Sequence, residues 1–386
     1  MAYRPNKREV APAITKTAGS AHARSPATRR ISPILGGCRD DFWVAIVISS
    51  QSGPNGLERI VLESHTARQF WIRSPGHGEI VAVDLAPRQG DEVLVRTICS
   101  GVSRGTESLI FRGEVPGSQY ENMRAPFQEG DFPGPVKYGY SSVGTVLEGP
   151  EHLVGRLVFC LYPHQDLYCV PAVAVHPLPD GLPAKRAALA ANVETALNAV
   201  WDGQPGPGDR IVVVGAGVVG LLVAWLCARM PGTRVTIFDV DPRRTEVAET
   251  LGLSLVTQAP ERADADLVFH ASGNPAGLTT ALSIAGTEAT IVELSWYGTR
   301  SVPLPLGEAF HSRRLTIKSS QVGRIPANRG ARWSHARRMR AALALMLDPS
   351  LDALIDGESD FEDLPQIMAK LSQAQTGALC QIIRYS

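Results

Sequence analysis

The run Arg210-Ile-Val-Val-Val-Gly-Ala-Gly-Val-Val-Gly-Leu-Leu-Val-Ala-Trp-Leu-Cys-Ala-Arg229 restricts this chain more than any other stretch. Ile211 to Val214 is a short β-branched run, which reads as a strand buried on both faces. Gly215, Gly217 and Gly220 follow in G-x-G-x-x-G spacing, and the apolar segment from Val218 to Leu226 reads as a helix packed on a sheet. Gly215 permits a tight strand-to-helix turn. Gly217, lacking a Cβ, lets a pyrophosphate approach the backbone, and Gly220 lets helix and strand pack closely. Val218 and Val219 stand in the first helical turn, whose free N–H groups suit phosphate oxygens.

The surroundings strengthen a dinucleotide reading. A second strand, Arg234 to Phe238, ends at Asp239, 19 residues beyond Gly220, where a carboxylate can accept hydrogen bonds from an adenosine ribose. Asp241-Pro242 then opens the next helix as N-cap and first-turn proline. Strand-like Asp266–Ala271, a helix from Pro275, and strand-like Ala289–Leu294 and Leu315–Lys318 continue the alternation. The pattern predicts an α/β fold: a Rossmann-type doubly wound parallel sheet over residues 183–318. Ligands in such sheets bind at the carboxyl edge. Ser272, Ser295 and Trp296 fall there, and Trp296 either walls a nicotinamide pocket or simply packs. His270 borders the same cleft without an assigned chemical role.

Residues 61–182 read differently. Gln69–Arg73, Glu79–Val83, Glu92–Ile98, Ser142–Leu147 and Gly155–Leu161 are short strands separated by turns, which suggests a small β barrel. Phe111 to Lys137 reads as a long loop, either a substrate lid or a surface excursion. Residues 183–202 read as helical, Arg332–Leu347 as a basic amphipathic helix, and Ala378–Tyr385 as a last strand within a return to the first domain over 319–386. Residues 1–60 are foreign to this pattern. Their first thirty positions are rich in Arg, Lys, Ala, Ser and Thr, with Glu9 the only acid, and predict a disordered, dispensable extension. A transit-like leader or a start codon placed too far upstream would give the same composition. Phe42–Ile48 is a strand-like island inside it.

With 38 basic and 38 acidic residues the formal charge is zero, so neither nucleic acid nor a membrane surface is an expected partner. The six scattered cysteines form no C-x-x-C pair and read as reduced core residues of a cytoplasmic protein.

A β domain, a dinucleotide unit and a return to the first domain resemble the medium-chain dehydrogenase/reductase superfamily. The resemblance rests on Ser100-Gly-Val-Ser-Arg-Gly-Thr-Glu107, Gly139-Tyr-Ser-Ser-Val-Gly-Thr-Val146, Glu194-Thr195, the glycine turn with Asp239, and Leu294-Ser-Trp-Tyr-Gly298. Ser100 to Glu107 is most similar to the bacteriochlorophyllide a dehydrogenase branch. The resemblance implies a GroES-like β-barrel catalytic domain and a homodimer; Asp239, whose carboxylate would repel a 2′-phosphate, predicts NAD as cofactor, with NADP as the alternative if Arg243 and Arg244 accept that phosphate. It implies that Arg104 meets the pyrophosphate, unless it is a solvated surface residue. Thr195 and Arg244 are implied to lie on the cofactor, Arg244 at the ribose. The family's catalytic zinc ligands match Ser103, Tyr140-Ser141 and about Ala191 here. A hydroxyl, a phenol and a methyl group do not make a tetrahedral zinc site, so no metal is expected.

Candidate chemistry therefore falls to side chains. Ser103 and Thr106 can relay a proton and Tyr140 can donate one to a carbonyl oxygen, or all three serve turns and packing. Tyr162 and His164 match cleft-lining positions of the family; His164 is either a general acid/base or a structural hydrogen-bonder. Three readings remain open. The first is a zinc-independent NAD(P)-dependent oxidoreductase acting on an alcohol/carbonyl pair of a bulky or planar organic substrate. The second is a reductase of activated C=C bonds, and the third a dinucleotide-binding sensor without turnover.

Overall fold

The computed structural model describes residues 65–373 and 377–386. The expected extension and the Phe42–Ile48 island lie outside them.

The first part of the chain is antiparallel. Strands β1 (His65–Ser74) and β2 (His77–Leu85) form a hairpin around Pro75-Gly76. After β3 (Glu92–Val102) comes α1 (Arg104–Phe111), so half of the Ser100–Glu107 motif is helical. Gly105 and the missing side-chain cap at Ser103 hide this helix from propensity; burial of Leu109, Ile110 and Phe111 stabilises it. The supposed long loop of residues 111–137 is also more ordered than expected. It contains β4 (Glu129–Gly130) and β5 (Val136–Lys137), which extend the hairpin into a sheet of order β2-β1-β5-β4. Phe132 is buried in the core beneath it and Tyr120 packs on Phe132, which anchors the segment and argues against a free lid.

Strands β6 (Ser142–Glu148), β7 (Leu157–Cys160), β8 (Leu167–Pro171) and β9 (Val175–Pro177) complete the first domain around β3. The helical stretch that follows is broken at residues 188–189 into α2 (Ala184–Ala187) and α3 (Ala190–Gly203).

The parallel sheet then begins. It comprises β10 (Arg210–Val214), α4 (Val218–Ala228), β11 (Arg234–Phe238), α5 (Thr245–Thr250), β12 (Ser254–Val256), β13 (Ala265–His270), α6 (Pro275–Ile284), β14 (Ala285–Glu293) and β15 (Thr316–Ser319). Its order is β12-β11-β10-β13-β14-β15, with every pairing parallel. The direction of winding reverses between β10 and β13, which opens a crevice at their carboxyl ends. The fold is therefore the Rossmann sheet plus GroES-like domain expected from the sequence.

A short α7 (Ala327–Gly330) and α8 (His335–Leu345) follow, and then β16 (Ile355–Asp360), α9 (Leu364–Leu371) and β17 (Cys380–Arg384). β17 pairs antiparallel with β3, so the chain end closes the first domain's larger sheet, of order β16-β17-β3-β6-β7-β9, with β8 also on β3. Cys99, Cys160, Cys227 and Cys380 are buried free thiols; burial pushes the first three up to about 12. Among the described residues no helix is long and apolar enough to cross a membrane.

α8 is not a solvated basic helix throughout. Arg338 is 1% exposed and turns inward, where its Nε donates to Glu194 at 3.0 Å and its other nitrogens reach Asn198 and the Val322 carbonyl. Burial pushes the Glu194 carboxyl upward while Arg338 opposes the shift. Removing one member of such a pair leaves an uncompensated buried charge. Arg338→Leu is expected to lower the unfolding free energy by about 3–5 kcal/mol in urea titration. A loss below about 1 kcal/mol would show the pair to be screened by solvent.

Candidate functional site

The crevice between β10 and β13 is shaped by glycines. Gly215 has φ +107°, and a Cβ there would sit 2.6 Å from the Ser272 nitrogen. A Cβ on Gly220 would overlap the Gly215 carbonyl oxygen, so α4 can lie on β10 only without one. Gly217, the N-cap of α4, has an ordinary φ of −75° and open space where a Cβ would be. That space is bounded by the first turn of α4, where Val218 and Val219 are half-buried.

Asp239 stands at the end of β11. Its carboxylate accepts from Ala216 N at 2.6 Å and from Asp241 N at 2.9 Å, which fixes it beside the glycine turn with lone pairs to spare. Asp241 caps the following turn through Arg243 N, as its place before Pro242 implies. Arg104 and Arg244 approach one another from different domains. Arg104 donates to the Ala378 carbonyl at 2.9 Å and Arg244 reaches the same oxygen at 3.5 Å. Burial, and then the charge of Arg244, pull the Arg104 guanidinium below its usual range; Asp356 and Asp239 oppose this. Two guanidinium groups and two carboxylates thus share the edge of the crevice. Thr195 bonds back to the Ala191 carbonyl within α3 at 2.8 Å.

At the carboxyl ends of β13 and β14 a second group converges. His270 Nδ1 lies 2.8 Å from a Glu293 carboxylate oxygen and His270 Nε2 lies 2.6 Å from Ser272 Oγ. Ser295 Oγ accepts from Gly273 N, and Tyr297 OH donates to Glu293 at 3.1 Å. Trp296 packs against the apolar core of the first domain. Tyr297 falls at the carboxyl edge with Ser295 and Trp296, whereas Glu293 had no role in the sequence reading; only strand register places it opposite His270.

The first domain contributes a buried network. Burial, followed by the Glu107 charge, pushes the Tyr140 phenol up to about 12, opposed by the Ser103 and Thr106 hydroxyls beside it. Glu107 accepts from Ser103 N at 2.7 Å and lies 2.8 Å from His164 Nε2. His164 Nδ1 meets Ser100 Oγ at 2.7 Å, which meets Tyr385 OH at 2.9 Å. Facing a carboxylate, Nε2 carries the proton, so Nδ1 accepts from Ser100. His164 is 1% exposed, with both nitrogens engaged. It is thus a buried hydrogen-bonder, and the open general acid/base position expected for it is corrected. Tyr162 is also corrected. It stacks on Tyr168 at 3.8 Å within the barrel core and beside the buried Lys137 ammonium, away from a cleft-lining position. Ser103, Thr106 and Tyr140 are brought together. Ser100 and Glu107, which organise them, were missed because their partner lies 64 and 57 residues away.

Comparison with known proteins agrees with this geometry. Residues 195–293 match the family model described as Alanine dehydrogenase/PNT, C-terminal domain. The chain is 28% identical over 255 residues to an uncharacterized zinc-type alcohol dehydrogenase-like protein, YdjJ, of Escherichia coli K12, covering 53% of this chain and 69% of that one. A structure described as a zinc-binding dehydrogenase from Sinorhizobium meliloti 1021, bound to NADP, superposes with a TM-score of 0.67 at 16% identity, covering 83% of this chain and 99% of that one. A short chain alcohol dehydrogenase from E. coli CFT073, complexed with NADH, gives 0.65 at 17% identity, covering 83% and 99%. Together these likenesses support membership of the zinc-type alcohol dehydrogenase-like, medium-chain superfamily of oxidoreductases, with a dinucleotide-binding domain.

Two glycines separate binding from folding. Gly217→Ala is expected to fold with unchanged thermal stability yet bind NADH at least about tenfold more weakly by fluorescence titration, because its methyl group meets only the incoming phosphate. Gly220→Ala should instead fail to give stable protein. Undiminished NADH affinity in Gly217→Ala would place the dinucleotide elsewhere.

Proposed function

We propose that this protein is a zinc-independent oxidoreductase that uses NAD(H) to interconvert an alcohol and a carbonyl compound. The observation that carries this reading is the buried Tyr140 phenol beside the Ser103 and Thr106 hydroxyls, with Ser103 and Tyr140 at positions that match zinc ligands in the family. The donor set there does not fit zinc: the oxygens are neutral hydroxyls, Ala191 offers a methyl group, and both nitrogens of the nearby His164 are occupied. No step is therefore assigned to a metal.

The glycine turn fits a dinucleotide, through the open space at Gly217, the α4 amides and the Asp239 carboxylate. Arg104 would face the pyrophosphate, with Thr195, Ser272, Ser295 and Trp296 around the nicotinamide half. Nicotinamide, when bound, supplies the hydride. The chain's own residues then manage one proton. Tyr140, kept protonated by burial, donates to the carbonyl oxygen in the reductive direction, while Ser103 and Thr106 orient the phenol and share the proton. The Glu107–His164–Ser100–Tyr385 network holds Ser103 in place from behind. Asp239 favours NAD(H) over NADP(H), since a 2′-phosphate would approach its fixed carboxylate. Arg244 does not offset this, because it is 8% exposed and directed at Ala378 and Asp241. The same reading takes the functional unit to be a homodimer, on family resemblance.

A panel of ketones and enones, run with NADH and with NADPH, tests the reading. Ketones should be reduced, faster with NADH. Tyr140→Phe should lower kcat about 100- to 10,000-fold while retaining NADH affinity. Turnover of enones alone, or a Tyr140→Phe enzyme as fast as wild type, would overturn it.

A further inference from the structure

The group at the carboxyl ends of β13 and β14 has an order the proposed reaction does not require. Ser272 Oγ lies 2.6 Å from His270 Nε2, and His270 Nδ1 lies 2.9 and 2.8 Å from the two oxygens of Glu293. Facing a carboxylate, Nδ1 carries the ring proton, which leaves the Nε2 lone pair for the Ser272 hydroxyl proton. Glu293 is itself held, by Ser295 N at 2.7 Å and Tyr297 OH at 3.1 Å. The His270 side chain is fully buried and that of Glu293 is 12% exposed, whereas Ser272 is exposed. A nucleophile, a base and a group that orients the base are thus within hydrogen-bond reach in series, with only the nucleophile open to solvent.

Two features of α6 complete the arrangement. Its residue 277 is glycine, and a Cβ there would overlap Ser272 Oγ and come within 2.8 Å of His270 Nε2. The helix thereby leaves room for the serine–histidine contact. Its N-terminus, capped by Asn274, starts beside the same hydroxyl. Asn274 N also donates to Ser272 Oγ at 3.1 Å, which fixes the oxygen and still leaves a lone pair for attack.

We propose that Ser272 is an activated nucleophile and that the protein has a second, nicotinamide-independent activity, hydrolysis of activated carboxylic esters. Ser272 Oγ bonds to the acyl carbon as its proton passes to His270 Nε2. The tetrahedral adduct expels the alcohol, which takes that proton, and leaves an acyl-serine. Water then attacks the acyl carbon, again giving a proton to His270. Collapse of the second adduct returns that proton to Ser272 and releases the carboxylic acid.

The test uses the purified full chain with a fluorophosphonate probe, read by intact mass and peptide mapping, and with p-nitrophenyl acetate turnover. One label per chain on Ser272 is expected, with none on Ser272→Ala. Glu293→Gln and His270→Gln should react at least about a hundredfold more slowly. Gly277→Ala, which keeps all three side chains and suits a helix better, should also lose labelling. Circular dichroism controls for folding in each variant. An unlabelled wild type, a label on another residue, or wild-type rates in folded Glu293→Gln would each overturn the proposal; the wild-type result needs no variant to fold.

Discussion

The contact between Glu107 and His164 holds the candidate active site together. It joins the first turns of α1 to the segment after β7, across 57 residues of sequence, inside a region where neither group meets water. One carboxylate oxygen takes the Ser103 amide and the other takes His164, so the start of α1 cannot shift without breaking a buried charged hydrogen bond. Ser103 and Thr106 are carried on that turn, and the Tyr140 phenol lies beside both.

A second constraint ties the dinucleotide unit to the first domain. The segment after β14 crosses to the first domain: Thr299 N donates to the Glu114 carbonyl at 3.1 Å, and Gly298, at φ +62°, lies so close to that oxygen that a Cβ would come within 2.5 Å. Trp296 packs into the first domain's core from the same segment. The carboxyl edge of the parallel sheet is therefore anchored against α1 and the residues that follow it. Arg244, reaching from the dinucleotide unit to the Ala378 carbonyl that Arg104 also meets, adds a third link near Asp239. These contacts bring the hydroxyl cluster and the glycine crevice into one region.

How much of this is legible in the sequence follows from the range of each interaction. The glycine turn is local, and its strand, helix and spacing agree with β10 and α4 to within two residues. The Asp241 cap is local too. Side-chain partners remote in sequence leave no periodic signal. Glu107, Ser100 and Glu293 acquire their roles only when the fold brings His164 or His270 to them. Tyr162 shows the reverse case. An aromatic residue just after a strand looks the same in sequence whether it lines a cleft or, as here, stacks in a barrel core. Arg338 lies in a stretch that reads as a basic amphipathic helix, and helical periodicity does not distinguish a buried ion pair from a solvated basic face.

The central claim is that organic groups, without a metal, position and protonate the substrate. The most direct measurement is the zinc content of catalytically active protein by elemental analysis, with turnover recorded before and after exhaustive chelation. The account predicts far less than one zinc per chain and unchanged turnover. One tightly bound zinc per chain, lost together with activity on chelation, would contradict it.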